Sequence, residues 1–292
     1  MRPPLRTETS LSMPYRTLNT DEAAQYLNLT RADIERLCKD RDIPFEMRGG
    51  RIVFRQREID AWASQRILSF NTSRLVEYHR TSSRETRTLL RRETLLPEMI
   101  RPDCIAAAMT AKTKASVLRD LAVVADRTGL VGDGAELVAS LLAREKLCPT
   151  AVPGGAAFLH PRQQQPYLFQ SSFLVLGRTI QPIHFGSPDG QPTDLFFLIC
   201  CQDEKLHLHT LARLCLMSLK TDLLAQLRVA PDAAVLLDCL LAAERAVVGT
   251  LSGVPERVMA GRRHAAPLPK SPWSDEGPAA GRDLAAAARP PD

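Results

Sequence analysis

The residues best suited to chemistry are histidines in the second half of the chain. His160 follows a glycine-rich turn and a short apolar run over 153–159, and a neutral imidazole nitrogen is nucleophilic near pH 7. His207 and His209 begin a Leu-rich segment that predicts a helix. Side chains two apart on a helix point roughly 200° apart, so these two are not metal ligands on one face. Taken alone, a histidine after a strand is more often a surface loop residue than a reactive one.

Two adjacent cysteines, Cys200 and Cys201, precede these histidines and leave a zinc site as an alternative. They lie in a predicted strand, where neighbouring side chains point to opposite faces. The seven cysteines are odd in number and contain no CxxC pair, which favours a reducing compartment over a disulfide framework. We therefore expect a cytoplasmic protein with no metal and no cofactor. His184, beside Phe185, is expected to be structural.

Positive charge is concentrated in the first third of the chain. Residues 1–101 contain 19 Lys and Arg against 14 Asp and Glu, whereas residues 102–292 contain 19 of each. A basic segment joined to a neutral one indicates an anionic partner for the first part alone, either nucleic acid or a membrane surface. The sequence has no run of 18 uncharged apolar residues and no apolar stretch behind its N-terminus. We therefore expect neither membrane insertion nor a signal peptide.

Residues 17–67 have the pattern of a small helical domain with a hairpin. Asn19 and Thr30 each precede a short amphipathic run and are typical helix N-caps. Gly49-Gly50 joins two short alternating runs, which predicts a β-hairpin. Residues 57–67 predict a closing helix. Two helices with a tight turn, a hairpin and a last helix make a winged helix-turn-helix.

The same segment resembles the excisionase-type DNA-binding domain, which is related to the MerR regulators. An EAA-x-x-L opening, an Ile-Pro, the Arg-Gly-Gly-Arg of the hairpin and a final Asp-Ala-Trp occur in the family's order. Arg41 stands where the family usually has glycine, and a left-handed Arg there carries modest strain. The resemblance implies that this domain binds duplex DNA.

Basic residues stand where such a domain would meet DNA, with the second helix in the major groove and the hairpin on the phosphates. These candidate DNA-binding residues are Arg31, Arg36, Lys39, Arg48, Arg51 and Arg55. The alternative is a protein-interaction module with a solvated basic face. Leu89, Leu95 and Leu96, among Arg and Glu, favour a homodimer, which paired half-sites on DNA would require.

The rest of the chain predicts a larger domain in which helices alternate with strands. Amphipathic patterns predict helices over 114–128, 135–145, 207–224 and 231–248, and apolar runs predict strands over 172–177 and 194–201. This order indicates an α/β layered domain, a mixed sheet flanked by helices, within an α+β multidomain chain. The predicted organisation is a disordered N-terminus over 1–16, the winged helix-turn-helix over 17–67, a basic, partly helical linker over 68–108, the larger domain over 109–250 and a disordered Pro/Ala-rich tail over 251–292.

The larger domain resembles the type 2 enzyme IIA domain of the phosphoenolpyruvate-dependent sugar phosphotransferase system (PTS), the fructose, mannitol and nitrogen-regulatory kind. Three ordered pieces carry the resemblance: LLAREKLCPTAVPGGAAFLHPR, PIHFGSPDGQPTDLFFLI and HLHTLARL. The resemblance implies that His160 accepts a phosphoryl group from the phosphocarrier protein HPr. It further implies that His207 supports the phosphoryl oxygens by a hydrogen bond and that Arg144 pairs with their charge. No metal is required for such a transfer.

The residues around the implied phosphoacceptor depart from the family pattern, Gly-x-Gly-[Ile/Val]-Ala-[Ile/Leu]-Pro-His. Here Leu159 stands before His160 and Pro161 after it, an exchange that can re-aim the imidazole.

Three functions remain open from the sequence. The first, favoured by the fusion of the two domains, is a DNA-binding regulator that senses the state of the PTS through phosphorylation of His160. The second is a phosphocarrier enzyme that passes the phosphoryl group to a sugar permease, with a PTS IIB protein as partner. The third is an enzyme IIA-fold interaction protein without phosphoryl chemistry.

Overall fold

The computed structural model describes residues 17–86, 94–162 and 167–252. The N-terminus predicted to be disordered over 1–16 lies outside the described residues, as do Leu89 and residues 253–292 of the tail predicted over 251–292. Residues 251–252 of that tail are helical. Within the described ranges, no helix combines the length and apolar character that crossing a membrane would need.

The N-terminal unit is a winged helix-turn-helix, as the sequence predicts. Its elements are β1 (Thr17–Leu18), α1 (Thr20–Leu27), α2 (Arg31–Lys39), β2 (Glu46–Arg48), β3 (Arg51–Arg55) and α3 (Gln56–Ser69). Capping boxes begin the first two helices, Asn19 with Glu22 and Thr30 with Asp33. Arg41 has a φ of 55°, the left-handed conformation expected at the position where the related domains have glycine.

The wing turns at Gly49 and Gly50, whose φ angles are 56° and 76°. Arg48 and Arg51 are partners across this two-residue turn in the antiparallel pair of β2 and β3. Two successive left-handed residues are what this kind of hairpin requires, and glycine supplies them without steric cost. The wing is therefore fixed to a small core, whose buried side chains include Leu27, Ile34, Leu37, Phe54, Ile59 and Ala63.

Much of the range predicted as a linker is regular structure packed on the larger domain. It contains α4 (Thr72–Thr86), α5 (Leu96–Met99), a 3-10 turn (Pro102–Cys104) and the edge strand β4 (Ile105–Met109). The sheet of the larger domain therefore begins before residue 109. Leu95 and Leu96, predicted to favour a homodimer, are fully buried within the chain and are not available to a second copy.

The larger domain is built on a mixed five-stranded sheet in the order β4-β7-β8-β6-β5. Here β5 is Ala151–Val152, β6 is Ala156–Leu159, β7 is Phe173–Ile183 and β8 is Thr193–Cys200. β4 is parallel to β7 and β6 to β8, whereas the β7–β8 and β5–β6 pairs are antiparallel. The apolar runs of β7 and β8 are buried on both faces, as expected for central strands covered from two sides.

Helices cover this sheet, and one of them also meets the N-terminal unit. The helices are α6 (Lys114–Arg127), α7 (Gly134–Leu147), α8 (Glu204–Lys220), α9 (Leu223–Val229) and α10 (Ala233–Ser252). α8 contacts β8 on one side and both α3 and α4 on another. Because it lies between the two units, it is buried without interruption from His207 to Met217.

A buried polar network holds α4 against α8. Nε of Arg213 donates to Nε2 of His79 at 2.6 Å, and the same guanidinium pairs with Glu244 of α10 at 2.8 Å. Oγ of Ser82 lies 2.8 Å from Nδ1 of His209, whose ring lies 4.6 Å from that of His79, centroid to centroid. Burial, aided by Arg213, lowers the pKa of His209 to about 3, so its imidazole is neutral. The network ties α4 to the larger domain.

Candidate active site

His160 lies directly after β6, and its hydrogen bonds define which ring nitrogen is reactive. Nδ1 lies 3.1 Å from the carbonyl oxygen of Phe158, and Nε2 lies 2.9 Å from Nε of Arg144. A carbonyl only accepts and a guanidinium only donates, so Nδ1 carries the proton and Nε2 presents its lone pair. Burial lowers the pKa of His160 well below its ordinary value, and Arg144 and His207 lower it further. The imidazole is therefore neutral, and Nε2, which accepts from Arg144, is its one ring nitrogen with a lone pair.

The glycine-rich turn before β6 fixes where that strand begins. Gly155 has a φ of 79°, and a Cβ there would lie 2.5 Å from Nη2 of Arg228 and 3.2 Å from the carbonyl oxygen of Pro192. Only glycine suits both this backbone conformation and this space. The turn thereby sets the position of His160 at the other end of the strand.

His207 lies in the first turn of α8 beside His160. Their ring centroids are 4.6 Å apart. Burial lowers the pKa of His207 to about 3, and Arg144 contributes in the same direction. Its Nδ1 is buried and has no hydrogen-bond partner among the described residues. The site thus contains two neutral imidazoles in contact.

Arg144 lies near the end of α7 and supplies the positive charge of the site. Besides its bond to His160, its Nη1 donates to the carbonyl oxygen of Cys148 at 2.9 Å. Its Nη2 is buried and, within the described ranges, unpartnered. Burial lowers the pKa of Arg144, but a guanidinium keeps its charge in proteins. An unpartnered guanidinium nitrogen beside a nucleophilic imidazole suits an incoming anion such as a phosphoryl group. The structure thus brings His160, His207 and Arg144 together.

The winged helix contributes two residues to the same site, Asp60 and Ser64, which our sequence analysis did not single out. Oγ of Ser64, on α3, lies 3.4 Å from Nε2 of His207. Asp60, one turn earlier on α3, accepts a hydrogen bond from Oη of Tyr26 at 2.9 Å. Burial raises the pKa of Asp60 to about 6, although the Tyr26 bond and the charge of Arg144 both lower it.

A signal for these two residues is present in the sequence. Asp60 and Ser64 are polar, four residues apart, and lie next to the buried apolar residues Ile59, Ala63 and Ile67. Polar side chains at helical spacing beside an apolar stripe indicate a polar neighbour across that face.

The cysteines and remaining histidines have other surroundings. Cys200 and Cys201 are buried, and burial raises the pKa of the Cys201 thiol to about 12. The residues that the structure describes contain no group of three or more His, Cys, Asp or Glu side chains able to hold a metal ion. His209 faces α4 rather than the site of His207, in agreement with their spacing on a helix. His184, expected to be structural, is exposed because it lies in the loop between β7 and β8.

The candidate DNA-binding residues lie on α2 and around the wing, and most of them already have carboxylate partners. The ion pairs join Arg31 to Asp21 and Glu35, Arg36 to Asp33, Arg48 to Glu46, and Arg55 to Glu46 and Glu58. In the described part of the chain, Lys39 and Arg51 form no ion pair. Exposed pairs of this kind contribute about 1 kcal/mol or less, so a DNA phosphate can replace the carboxylate.

The folded winged helix is electrically neutral, which corrects the expectation drawn from the first third of the chain. Residues 17–67 contain nine Lys and Arg and nine Asp and Glu. The net charge of +5 over residues 1–101 therefore lies outside this domain, in 1–16 and 68–101. The candidate DNA surface is an arrangement of local charges rather than an excess of positive charge.

Comparison with known proteins identifies two regions of the chain. The family model for the phosphoenolpyruvate-dependent sugar phosphotransferase system, EIIA 2, matches residues 98–243, which is half of the 292 residues. A helix-turn-helix domain model matches residues 17–67.

Individual known proteins are similar to about half of this chain. A nitrogen regulatory protein of Bradyrhizobium diazoefficiens is 33% identical over 141 residues, which cover 47% of this chain and 89% of that protein. The PTS system fructose-specific EIIABC component of Bacillus subtilis is 24% identical over 147 residues, 50% of this chain but only 23% of that protein. The crystal structure of nitrogen regulatory protein IIA-Ntr from Neisseria meningitidis aligns with a TM-score of 0.45 at 23% identity, over 49% of this chain and 97% of that one. On the EIIA 2 match and the Bradyrhizobium relative, the chain belongs to the PTS EIIA type 2 family and carries a helix-turn-helix domain ahead of its EIIA domain.

Proposed function

We propose that the chain is a DNA-binding regulator whose EIIA domain is phosphorylated on His160 by HPr and so senses the state of the PTS. The observation that supports this most directly is the lone pair of His160 Nε2, held beside a buried guanidinium. A second neutral imidazole, that of His207, contacts the first. A nucleophile, a positive charge and a hydrogen-bond donor are what phosphoryl transfer between two proteins needs.

In the proposed transfer, Nε2 of His160 attacks the phosphorus of the phosphohistidine of HPr. The Nε2–P bond forms from the imidazole lone pair while the P–N bond of the donor breaks, and that electron pair returns to the donor ring. The His160 ring gains positive charge, which the hydrogen bond from Nδ1 to the carbonyl oxygen of Phe158 stabilises.

Arg144 and His207 act on the phosphoryl oxygens rather than on the nucleophile. Arg144 exchanges its bond to Nε2 for one to a phosphoryl oxygen, and its unpartnered Nη2 provides a second donor. A ring N–H of His207 supplies a further hydrogen bond. These donors compensate the negative charge that the phosphoryl group brings into a buried site.

In the proposed regulator, DNA binding by the helix-turn-helix domain is the activity that is regulated. In α2, Arg31, Arg36 and Lys39 are exposed, and the wing residues 47–51 are exposed as well. Both DNA-reading elements are thus accessible while α3 faces the EIIA domain.

A second candidate function is an EIIA-fold interaction protein that undergoes no phosphorylation. The burial of His160 favours it, because only 3% of this residue is exposed and Nε2 is already bonded to Arg144. Transfer onward to a PTS IIB protein remains a third candidate, which the match to a PTS EIIABC component supports.

The experiment that separates these functions is incubation of the full chain with phosphoenolpyruvate, enzyme I and HPr, followed by intact mass measurement. We expect the mass of one phosphoryl group on the wild type and on His184→Ala, and none on His160→Ala. Absence of any mass increase, under conditions that label a standard EIIA protein, would favour the interaction protein. Transfer of the label to an added IIB protein would favour the phosphocarrier.

A further inference from the structure

We propose that the winged helix is a lid on the EIIA site: HPr reaches His160 only when α3 has undocked from α8, and phosphorylated His160 keeps the lid open. This regulation rests on the proposed phosphorylation of His160. The lid itself is a separate structural claim and is tested separately below.

The contacts of α3 place it directly over the site. Ser64 meets His207, and Nε2 of Gln56 donates a hydrogen bond to Oε2 of Glu204 in the first turn of α8. Ser64 itself is 1% exposed, and His207 is fully buried. A protein donor must bring its own phosphohistidine into line with Nε2 of His160, a residue that is only 3% exposed in this arrangement.

Charge opposes a phosphoryl group under the closed lid. Asp60 is a buried carboxyl group, and the positive charge of Arg144 lowers its pKa. Any charged group on His160 would interact with the same guanidinium. A phosphoryl group brings nearly two negative charges, which would repel an ionised Asp60 at low local dielectric and compete with it for Arg144. Docking of α3 and phosphorylation of His160 therefore oppose each other.

The opening motion has a defined boundary in the chain. α3 ends at Ser69 and α4 begins at Thr72, with only residues 70–71 between them. Beyond this break, Arg213, His79 and Glu244 hold α4 to the EIIA domain by buried hydrogen bonds. The winged helix can therefore swing away from α8 while α4 stays in place.

The test uses two opposite charges at one position of the full-length protein. Gln56→Glu places a carboxylate against Glu204 and should open the lid, although a Glu in the first turn of a helix is otherwise stabilising. Gln56→Lys should pair with Glu204 and keep it closed. Ser64→Arg should also open it, with Ser69→Arg as the control, because Ser69 is exposed on the same helix.

Two readouts distinguish the lid from the phosphorylation site. The first is the rate at which diethyl pyrocarbonate modifies His160, measured by peptide mass spectrometry with exposed His184 as internal reference. The second is the rate of HPr-dependent phosphorylation. We expect both rates to rise about fivefold in Gln56→Glu, to rise more in Ser64→Arg, and to stay at or below wild type in Gln56→Lys and Ser69→Arg.

The results of these two measurements test the lid and the phosphorylation of His160 separately. If His160 of the wild type reacts as fast as His184, or if Gln56→Glu and Gln56→Lys behave alike, the lid is wrong. If reagent access follows the expected series while no variant takes up phosphate, the lid stands and the proposed phosphorylation fails.

Discussion

Oγ of Ser64 in the winged helix lies 3.4 Å from Nε2 of His207 in the EIIA domain, although 143 residues separate them in the chain. This contact joins two regions that separate family models match. A change in either region should therefore be measurable in the other, and the following predictions use that connection.

Arg144→Ala should slow phosphorylation of His160 on the order of 100-fold, because it removes the charge that compensates the phosphoryl oxygens. Arg144→Lys should recover only part of the rate, since an ammonium keeps the charge but cannot present two parallel N–H donors. Rates are measured by quenched intact-mass time courses at several HPr concentrations. An equal rate in all three proteins would show that Arg144 acts only in packing.

Asp60→Asn should stabilise the protein at neutral pH. The pKa of Asp60 is raised from 3.8 to about 6, so the folded state favours its protonated form. That preference stabilises the fold fully below the unfolded value of 3.8 and is lost as the pH rises through about 6. Asn is uncharged at every pH and keeps an oxygen for Tyr26. The free energy of unfolding should therefore rise by up to about 3 kcal/mol at neutral pH and change little near about pH 4.

Urea unfolding of both proteins across this pH range checks the prediction. Asp40→Asn, an exposed position in the same domain, serves as the control and should show no such pH-dependent gain. A stability gain for Asp60→Asn that is the same at all pH values would rule out the titration of Asp60 as its cause.

Glu244→Gln should destabilise the protein by about 3–5 kcal/mol, because it leaves the buried Arg213 without its charge partner. It also removes an acceptor from the backbone N–H groups of Leu95 and Leu96, which donate to the two carboxylate oxygens. The matched control is Asp103→Asn, which breaks the pair of Asp103 with Arg101 at a site about half exposed on both sides. That change should cost about 1 kcal/mol or less by denaturant unfolding.

Arg51→Ala should weaken DNA binding on every sequence and reduce the salt dependence by about one unit of slope. Arg31→Ala should weaken binding less, because Arg31 gives up its pairs with Asp21 and Glu35 when it meets a phosphate. Arg36→Ala should also relax sequence preference. Fluorescence anisotropy with a labelled duplex at several salt concentrations measures all three, with Arg101→Ala as an exposed control in the EIIA region. No salt-dependent binding by the wild type at low ionic strength would remove the DNA-binding proposal.

The sequence predicted the elements whose patterns are strong and missed those whose patterns are weak. The apolar runs that became β7 and β8 were found because a buried central strand is apolar on both faces. β4, Ile105–Met109, was missed because its three alanines have little preference for a strand. It is held instead by pairing with β7, which local sequence does not reveal.

Weak or incomplete local patterns also explain why the packing of α4 and the docking of α3 on the EIIA domain were not predicted. The buried face of α4 has helical spacing, with Leu75, Tyr78, His79 and Ser82 at i, i+3, i+4 and i+7. His79 and Ser82 are polar, so the hydrophobic pattern of α4 is incomplete. In the structure they contact Arg213 and His209 of α8. The resemblance to EIIA domains named His160, His207 and Arg144, but a family pattern for one domain says nothing of a second domain packed on it.

If α3 acts as the proposed lid, its docking against α8 has an energetic consequence for the proposed phosphoryl transfer from HPr. The free energy needed to separate α3 from α8 would then be retained in the phosphorylated chain and released when the phosphoryl group leaves. A phosphoryl group on His160 would then have a higher transfer potential than on an EIIA domain without such a lid. Half of the molecules would accordingly be phosphorylated only at a higher ratio of phosphorylated to free HPr. That ratio would rise about tenfold for each 1.4 kcal/mol of docking energy. The docking strength of α3 would thus set the ratio of phosphorylated to free HPr at which the proposed sensor responds.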